Sequence, residues 1–305
     1  KTTSYAFNVY ANYEFNLKQK HNFNIMLGAN AEGEEFYWHR SKKMGLLNPN
    51  QPEFGLANGT QTVDGRHVHS ATAGYFGRIN YNWNEIWLLE LNGRFDGSSS
   101  FPSKDRWAFF PSASVGYRFS QEGYFDKLRN IINNGKLRAS LGEIGNEAVG
   151  EDMFISTIST VDNRYWLDSE GNLMTMYNVP SLVSSSLTWE RIRTLDLGID
   201  LGFLNNELNV SFDWYQRKTL DMLAPGVTLP DVLGTKEPYT NAGSLRTRGW
   251  ELNLSWNHRF GDFNVYASGN LSDYKTVVTD WNNPQGILSD YFSGKVYGDI
   301  YGFET

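Results

Sequence analysis

His67 and His69 stand two residues apart, so a strand would carry both imidazoles on one face, where a third ligand would complete a zinc-type site. No such ligand accompanies them, and they are read as loop or lumen histidines. The run Asp168-Ser169-Glu170-Gly171-Asn172 has the acidity of a calcium loop. It lacks the spacing of oxygen ligands and the terminal bidentate Glu, which leaves a solvated turn. Glu34 and Glu35 are adjacent and point to opposite faces of a strand, so they cannot work as the paired carboxylates of a glycosidase. Gly145-Asn146-Glu147-Ala148-Val149-Gly150 lacks the strand, turn and helix of a dinucleotide fingerprint, and no Ser/His/Asp arrangement or phosphate-binding loop occurs. The reading is therefore of no catalytic residue, no metal ligand, no cofactor and no enzyme. What remains is non-covalent: Trp38, Tyr165 and Trp166, with Tyr37, could stack on sugar rings or peptide side chains, or anchor the loops that carry them.

The elements that must position these residues are strands. From Trp87 to Asp96, Trp87, Leu89, Leu91, Gly93 and Phe95 share one face and Glu90, Asn92, Arg94 and Asp96 the other. From Trp107 to Ser120, Trp107, Phe109, Pro111, Ala113, Val115, Tyr117 and Phe119 oppose Ser112, Ser114, Gly116, Arg118 and Ser120. Soluble sheets usually run about 5 to 6 residues per strand, roughly half of what these patterns sustain. A strand of about 13 residues rises about 43 Å and, tilted near 45°, crosses roughly 30 Å, the thickness of a bilayer's hydrocarbon core.

Composition agrees. Apolar residues make up 40% of the 305, mean hydropathy is −0.49, and no run of the length needed for a transmembrane helix is present. A polar residue at every second position dilutes hydropathy in this way. A net charge of −7 without a clustered basic run argues against a nucleic-acid partner. With no cysteine, neither a disulfide framework nor a Cys-ligated metal is possible.

The same rhythm runs from end to end. Strands are expected at 4–18, 22–32, 72–83, 87–96, 107–120, 136–146, 194–203, 208–217, 250–256 and 263–271, with Tyr301-Gly302-Phe303 opening an eleventh. Residues 121–135 carry Tyr124, Phe125, Leu128, Ile131 and Ile132 at helix-like spacing, and Asn205-Asn206 reads as a two-residue hairpin turn. Long connections are expected at 40–67, 147–186, 223–244 and 276–298, alternating with short ones. One rim with short turns and one with long loops is the habit of transmembrane barrels. The fold expected is all-β, a partial antiparallel transmembrane barrel, and the chain is read as an internal fragment of a longer protein. Porin-like passive passage and a soluble carbohydrate-binding or carbohydrate-active β-protein are the alternatives.

Several segments resemble the SusC/RagA family of TonB-linked outer-membrane transporters. They are Arg94-Phe95-Asp96-Gly97-Ser98-Ser99 with Arg106-Trp107 and Phe110-Pro111-Ser112, then Lys136-Leu137-Arg138-Ala139-Ser140, then Gly145-Asn146. Asp213-Trp214-Tyr215 with Arg217-Lys218-Thr219, Asn241-Ala242-Gly243-Ser244 with Gly249-Trp250-Glu251-Leu252, and Ile300-Tyr301-Gly302-Phe303 follow in family order, while Ser100 departs from the pattern. The resemblance implies a 22-stranded barrel in the outer membrane of a Gram-negative bacterium, holding an amino-terminal plug. It also implies a TonB-contacting segment, a SusD-like surface lipoprotein as lid, and energised import of a glycan or peptide. Plug and TonB segment are not visible in these residues, so 1–305 is read as part of one barrel domain.

Overall fold

The computed structural model describes residues 1–300 apart from 148, 151–152, 162–166, 168, 172–173, 175, 227–228, 285 and 288–290. Its strands are β1 (Thr2–Leu17), β2 (His21–Lys43), β3 (Gln61–Trp83), β4 (Trp87–Ser98), β5 (Trp107–Tyr117), β6 (Ile132–Asn146), β7 (Thr160–Val161), β8 (Met176–Tyr177), β9 (Glu190–Phe203), β10 (Leu208–Pro225), β11 (Tyr239–Phe260) and β12 (Phe263–Asp280). Ten form a single antiparallel meander in the order β1-β2-β3-β4-β5-β6-β9-β10-β11-β12. The two-residue strands β7 and β8 pair with each other in the excursion between β6 and β9.

Registers line like with like. One polar row crosses the sheet as Glu14, Asn24, Asn80, Glu90, Ser114, Ser140 and Asp196, each directly opposite the next. The row beside it is apolar: Tyr13, Ile25, Ile79, Leu91, Ala113, Leu141 and Leu195. A slip of one residue at any ladder would exchange the faces, so the two-sided pattern fixes the register. Two open clefts of about 730 and 850 Å³ lie on the polar side, which is the hollow one. The apolar side stays open, with Leu27 at 65%, Leu197 at 45% and Leu254 at 43% exposure. A sheet-wide apolar face of this kind is not left in water.

Short connections use left-handed backbone. Lys18 and Gln19, Asn84 and Glu85, and Gly261 have φ between 51° and 60°, which lets the strands reverse within two or three residues. The turn at Asn205-Asn206 is longer than the two residues expected. Phe203 pairs with Leu208, leaving a four-residue connection in which Leu204 also has positive φ.

Other boundaries are corrected too. Strands β2 and β3 stay paired to Lys43 and Gln61, so the connection expected at 40–67 shrinks to 44–60. The connection expected at 223–244 shrinks to 226–238 because β10 and β11 remain paired to Pro225 and Tyr239, and β12 runs on to Asp280. Turn residues had marked these stretches as loops, but cross-strand pairing outweighs local propensity. Residues 121–135 form no α-helix. Two single-turn 3-10 segments, Phe119–Gln121 and Gly123–Phe125, lead to turns and then to β6. Among the described residues β1 and β12 do not pair with each other, and the second edge of β12 meets only the short stretch Gly294 to Tyr297, through a bridge at Val277 and Val296, so the sheet is open. The strand expected at Tyr301 lies outside the described residues.

Candidate functional site

The polar wall holds two arginine-centred nodes. Arg138 on β6 donates Nε to Asp200 Oδ2 at 2.8 Å and Nη2 to Asp200 Oδ1 at 2.9 Å, a bidentate fork across to β9. The same Nη2 reaches Asp213 Oδ1 on β10 at 2.8 Å and Ser211 Oγ at 3.2 Å, while Ser211 donates to Asp200 at 2.8 Å. One guanidinium thus ties three strands. Gly198 lies directly opposite Arg138, and its missing side chain leaves the room that the guanidinium and the Asp213 carboxylate occupy. A second node lies on β4, where Arg94 grips Asp96 at 2.7 and 3.0 Å, donates to Asn30 at 3.2 Å and sits 5.3 Å from the Phe76 ring centroid. Elsewhere on the wall, Glu14 accepts from Asn24 at 2.6 Å and Glu90 from Asn92 at 2.8 Å. The wall is polar, with some charges joined in the two nodes and others met by neutral amides.

Toward the long-connection rim the polar side closes around a small dry cluster. Phe101, Ala108, Phe110, Leu187 and Trp189 are all buried, with Phe101 at 0% and Leu187 at 1% exposure. Trp189 lies 5.1 Å from the Phe101 ring and meets Phe110 edge-on at 5.5 Å. Its Nε1 donates to the Arg106 carbonyl at 2.8 Å, and Thr188 Oγ1 donates to the Asp105 carbonyl at 3.1 Å. Asn241 clamps the same backbone. It accepts from Thr188 N at 2.9 Å and donates to the carbonyls of Thr188 and Asp221 at 2.8 and 2.7 Å. Pro111 explains why there is space here. The β5–β6 ladder runs from Tyr117 only to Ser112, and the next residue, Pro111, has no N–H to continue it. Gly145 on β6 lies where a Cβ would collide with the Phe110 ring. Phe101, Leu187 and Trp189 have no signature in the sequence, because packing across more than 80 residues is not a local pattern.

The aromatic candidates separate. Trp38 lies on β2, not in a loop, on the polar side opposite Arg66 of β3. Tyr37 takes the other side, where it meets His67 edge-on with centroids 6.0 Å apart. His67 and His69 are likewise on β3 rather than in a connection, and among the described residues no group of three His, Asp or Glu is placed to hold a metal. Tyr165 and Trp166 lie outside the described residues, as does Asp168. Glu34 and Glu35 fall on opposite faces, Glu34 within 3.4 Å of Ser4 Oγ.

Residues 1–298 match the family model described as TonB dependent receptor-like, beta-barrel. The TonB-dependent receptor SusC of Bacteroides thetaiotaomicron is 30% identical over 304 residues, covering 90% of this chain and 28% of its own. The TonB-dependent receptor P26 of Formosa agariphila is 29% identical over 272 residues, which is 88% of this chain and 27% of that protein. Among solved structures, the RagAB peptide transporter superposes with a TM-score of 0.82 at 25% identity, over 92% of this chain and 30% of that one. The chain spans less than a third of the length of the relatives it matches. The hollow polar face is therefore part of a barrel lumen and the open apolar face part of its lipid-facing wall, in the outer membrane of a Gram-negative bacterium. A sheet polar within, apolar without and matched along almost its entire length leaves one assignment: the chain belongs to the TonB-dependent receptor-like β-barrel family, whose members are transporters and not enzymes.

Proposed function

We propose that the complete protein imports a large nutrient, a glycan or an oligopeptide, through a plugged outer-membrane barrel energised through TonB. A SusD-like surface lipoprotein would act as the lid. The observation that carries this reading is the joint similarity to SusC and to a structure named for peptide transport, over 90% and 92% of the chain. The open sheet supports a larger barrel around it. Among the described residues β1 leaves one edge unpaired and β12 leaves its second edge unpaired from Phe263 to Lys275, and an unpaired backbone group in lipid costs several kcal/mol, so further strands would cover both edges. A polar lumen wall with its arginines Arg94 and Arg138 engaged by carboxylates supports binding and passage without covalent chemistry. Trp38, on the polar side of the long β2–β3 hairpin, is the candidate stacking residue for cargo.

Uptake of fluorescent oligosaccharides and oligopeptides by cells producing the full-length protein tests the proposal. Import of one class that stops on depletion of TonB is the expected result. Import that continues without TonB would favour a passive porin and refute energised transport.

A further inference from the structure

The outward face of β9 to β12 changes character in steps along the strands. Its rows, read toward the long connections, are Ile199, Phe212, Leu252 and Leu271, then Leu197, Trp214, Trp250 and Asp273. Next come Leu195, Gln216, Arg248 and Lys275, and after these Arg193, Lys218 and Arg246, with Val277 completing the row. Two residues along a strand are about 7 Å, so at a tilt near 45° the cations begin about 5 Å beyond the tryptophan row and end about 10 Å beyond it. That is the depth of headgroups, directly above an aromatic girdle.

The arrangement is unfavourable by itself. Arg193 faces Lys218, Lys218 faces Arg246, and Arg248 faces Lys275, three directly opposed pairs of like charge. Among the described residues one side of the patch is neutralised: Glu143, its side chain 7% exposed, accepts from Arg191 at 2.9 Å and from Arg193 at 2.7 and 3.0 Å. Arg248 donates to neutral Gln216 at 2.8 Å. Among the described residues Lys218, Arg246 and Lys275 form no ion pair, and two acids flank them on this face: Asp273, one row down beside Lys275, and Asp280, opposite Ser244 one row beyond Arg246. Chance does not distribute basic residues this way. On the same outward face β1, β3, β4 and β5 carry no Lys or Arg, and β2 carries only Lys43 at its far end.

We propose that the outward faces of β10, β11 and β12 form a docking surface for a phosphate-bearing lipid headgroup of the outer leaflet, held by Lys218, Arg246, Arg248 and Lys275. A phosphate between two opposed cations converts each repulsive pair into two charge-assisted hydrogen bonds. The acyl chains of the same lipid would lie along Trp250, Leu252 and Leu271, continuous with the lipid-facing wall. The inference is independent of the cargo, because it concerns the opposite face from the lumen.

The test uses the full-length protein in a mild non-ionic detergent, titrated with bisphosphorylated lipid A and with the same lipid stripped of its phosphates, and read by native mass spectrometry. The triple variant R246Q/R248Q/K275Q should bind the bisphosphorylated lipid about 100-fold more weakly at low salt. Wild-type protein should bind the dephosphorylated lipid as weakly as the variant does, and K18Q/K20Q, on the opposite rim, should bind like wild type. Heat-modifiable migration on gels reports folding. If the triple variant does not fold, K218Q/K275Q replaces it, with a smaller loss expected. Equal affinity of wild type and variant, equal affinity for the two lipids, or release of a co-purifying protein instead of lipid would each overturn the proposal.

Discussion

Leu254→Arg and Leu197→Arg should differ in cost although both place a guanidinium on the lipid-facing wall. On β11 the outward aromatics Trp250, Trp256 and Phe260 mark the height of the apolar band, and the ten steps from Trp250 to Phe260 rise about 34 Å, or about 24 Å at a tilt near 45°. Leu254 lies four residues from Trp250, about 10 Å inside the girdle and close to the midplane. Leu197 stands in the same row as Trp214 and Trp250, at the interface, where a sequence reading had no means to place it. An arginine at the midplane costs about 2 to 4 kcal/mol and near an interface about 0 to 1 kcal/mol. The folded-to-unfolded ratio should then fall about 30- to 700-fold for Leu254→Arg and at most about fivefold for Leu197→Arg. Asn253→Arg, on the lumen side, should cost little. The assay is refolding of the full-length protein from urea into phospholipid vesicles, with folded fractions read from heat-modifiable migration. Equal losses at 253 and 254 would mean that the faces are exchanged, and equal losses at 197 and 254 would refute the placement of the membrane.

Three further outcomes follow from the lumen and its rim. Trp189→Ala should destabilise the packed mouth by about 3 to 5 kcal/mol, seen as new protease cleavage within 99–106 or 178–189. Trp189→Phe should lose only about 0.5 to 1.5 kcal/mol with its indole hydrogen bond, and cleavage of the two variants at the same rate would refute the packing argument. Arg138→Ala leaves Asp200 and Asp213 facing each other. Their side chains keep 31% and 17% of their exposure, so water lowers the cost to about 1 to 3 kcal/mol, and a second change, Asp200→Asn, should restore part of it in the same refolding assay. No recovery in the double variant would show that the carboxylates do not repel. Finally, cysteines at Asn58 and Val232 should react on intact cells with a reagent too large to cross the membrane, whereas one at Asn205 should not. Val232 is preferred to its neighbour Gly234 because it is 90% exposed and Gly234 has φ of 64°. Labelling at Asn205 alone would invert the topology.

Period two made the membrane-spanning parts of the strands legible, since most side chains there declare their face by type, as Leu195, Leu197 and Ile199 do against Asp196 and Asp200. It did not make the ends of β2, β3, β10 and β11 legible, because Asn, Gly and Pro near those ends are turn formers and only the partner strand keeps them extended. Arg138, Asp200 and Asp213 each read as lumen residues, but their joining into one node needed the register of three strands. Trp189, between the connection expected at 147–186 and the strand expected from 194, carries no signal for the same reason. The cationic rows did have a signal: Arg191-Ile192-Arg193 and Arg246-Thr247-Arg248 repeat arginine at a spacing of two, the period of a strand.

The misplaced strand ends, the outward cations and the place of Trp38 on a strand have one cause. A strand of about 13 residues crosses the bilayer, yet β2 and β3 have 23 residues and β11 has 22, so about ten residues of each continue past the rim. Beyond the hydrocarbon the alternation still governs direction but no longer governs polarity. A side chain facing outward there meets headgroups and water, so Arg246 and Arg248 can follow directly on Trp250 along one face of β11. A side chain facing inward meets the approach to the lumen, where Trp38 lies. A search confined to loops does not find the outward cations, because strand extensions hold them at fixed height and spacing. Beyond the hydrocarbon the strands thus carry an outward cationic face on β10, β11 and β12 and, on β2, an inward Trp38.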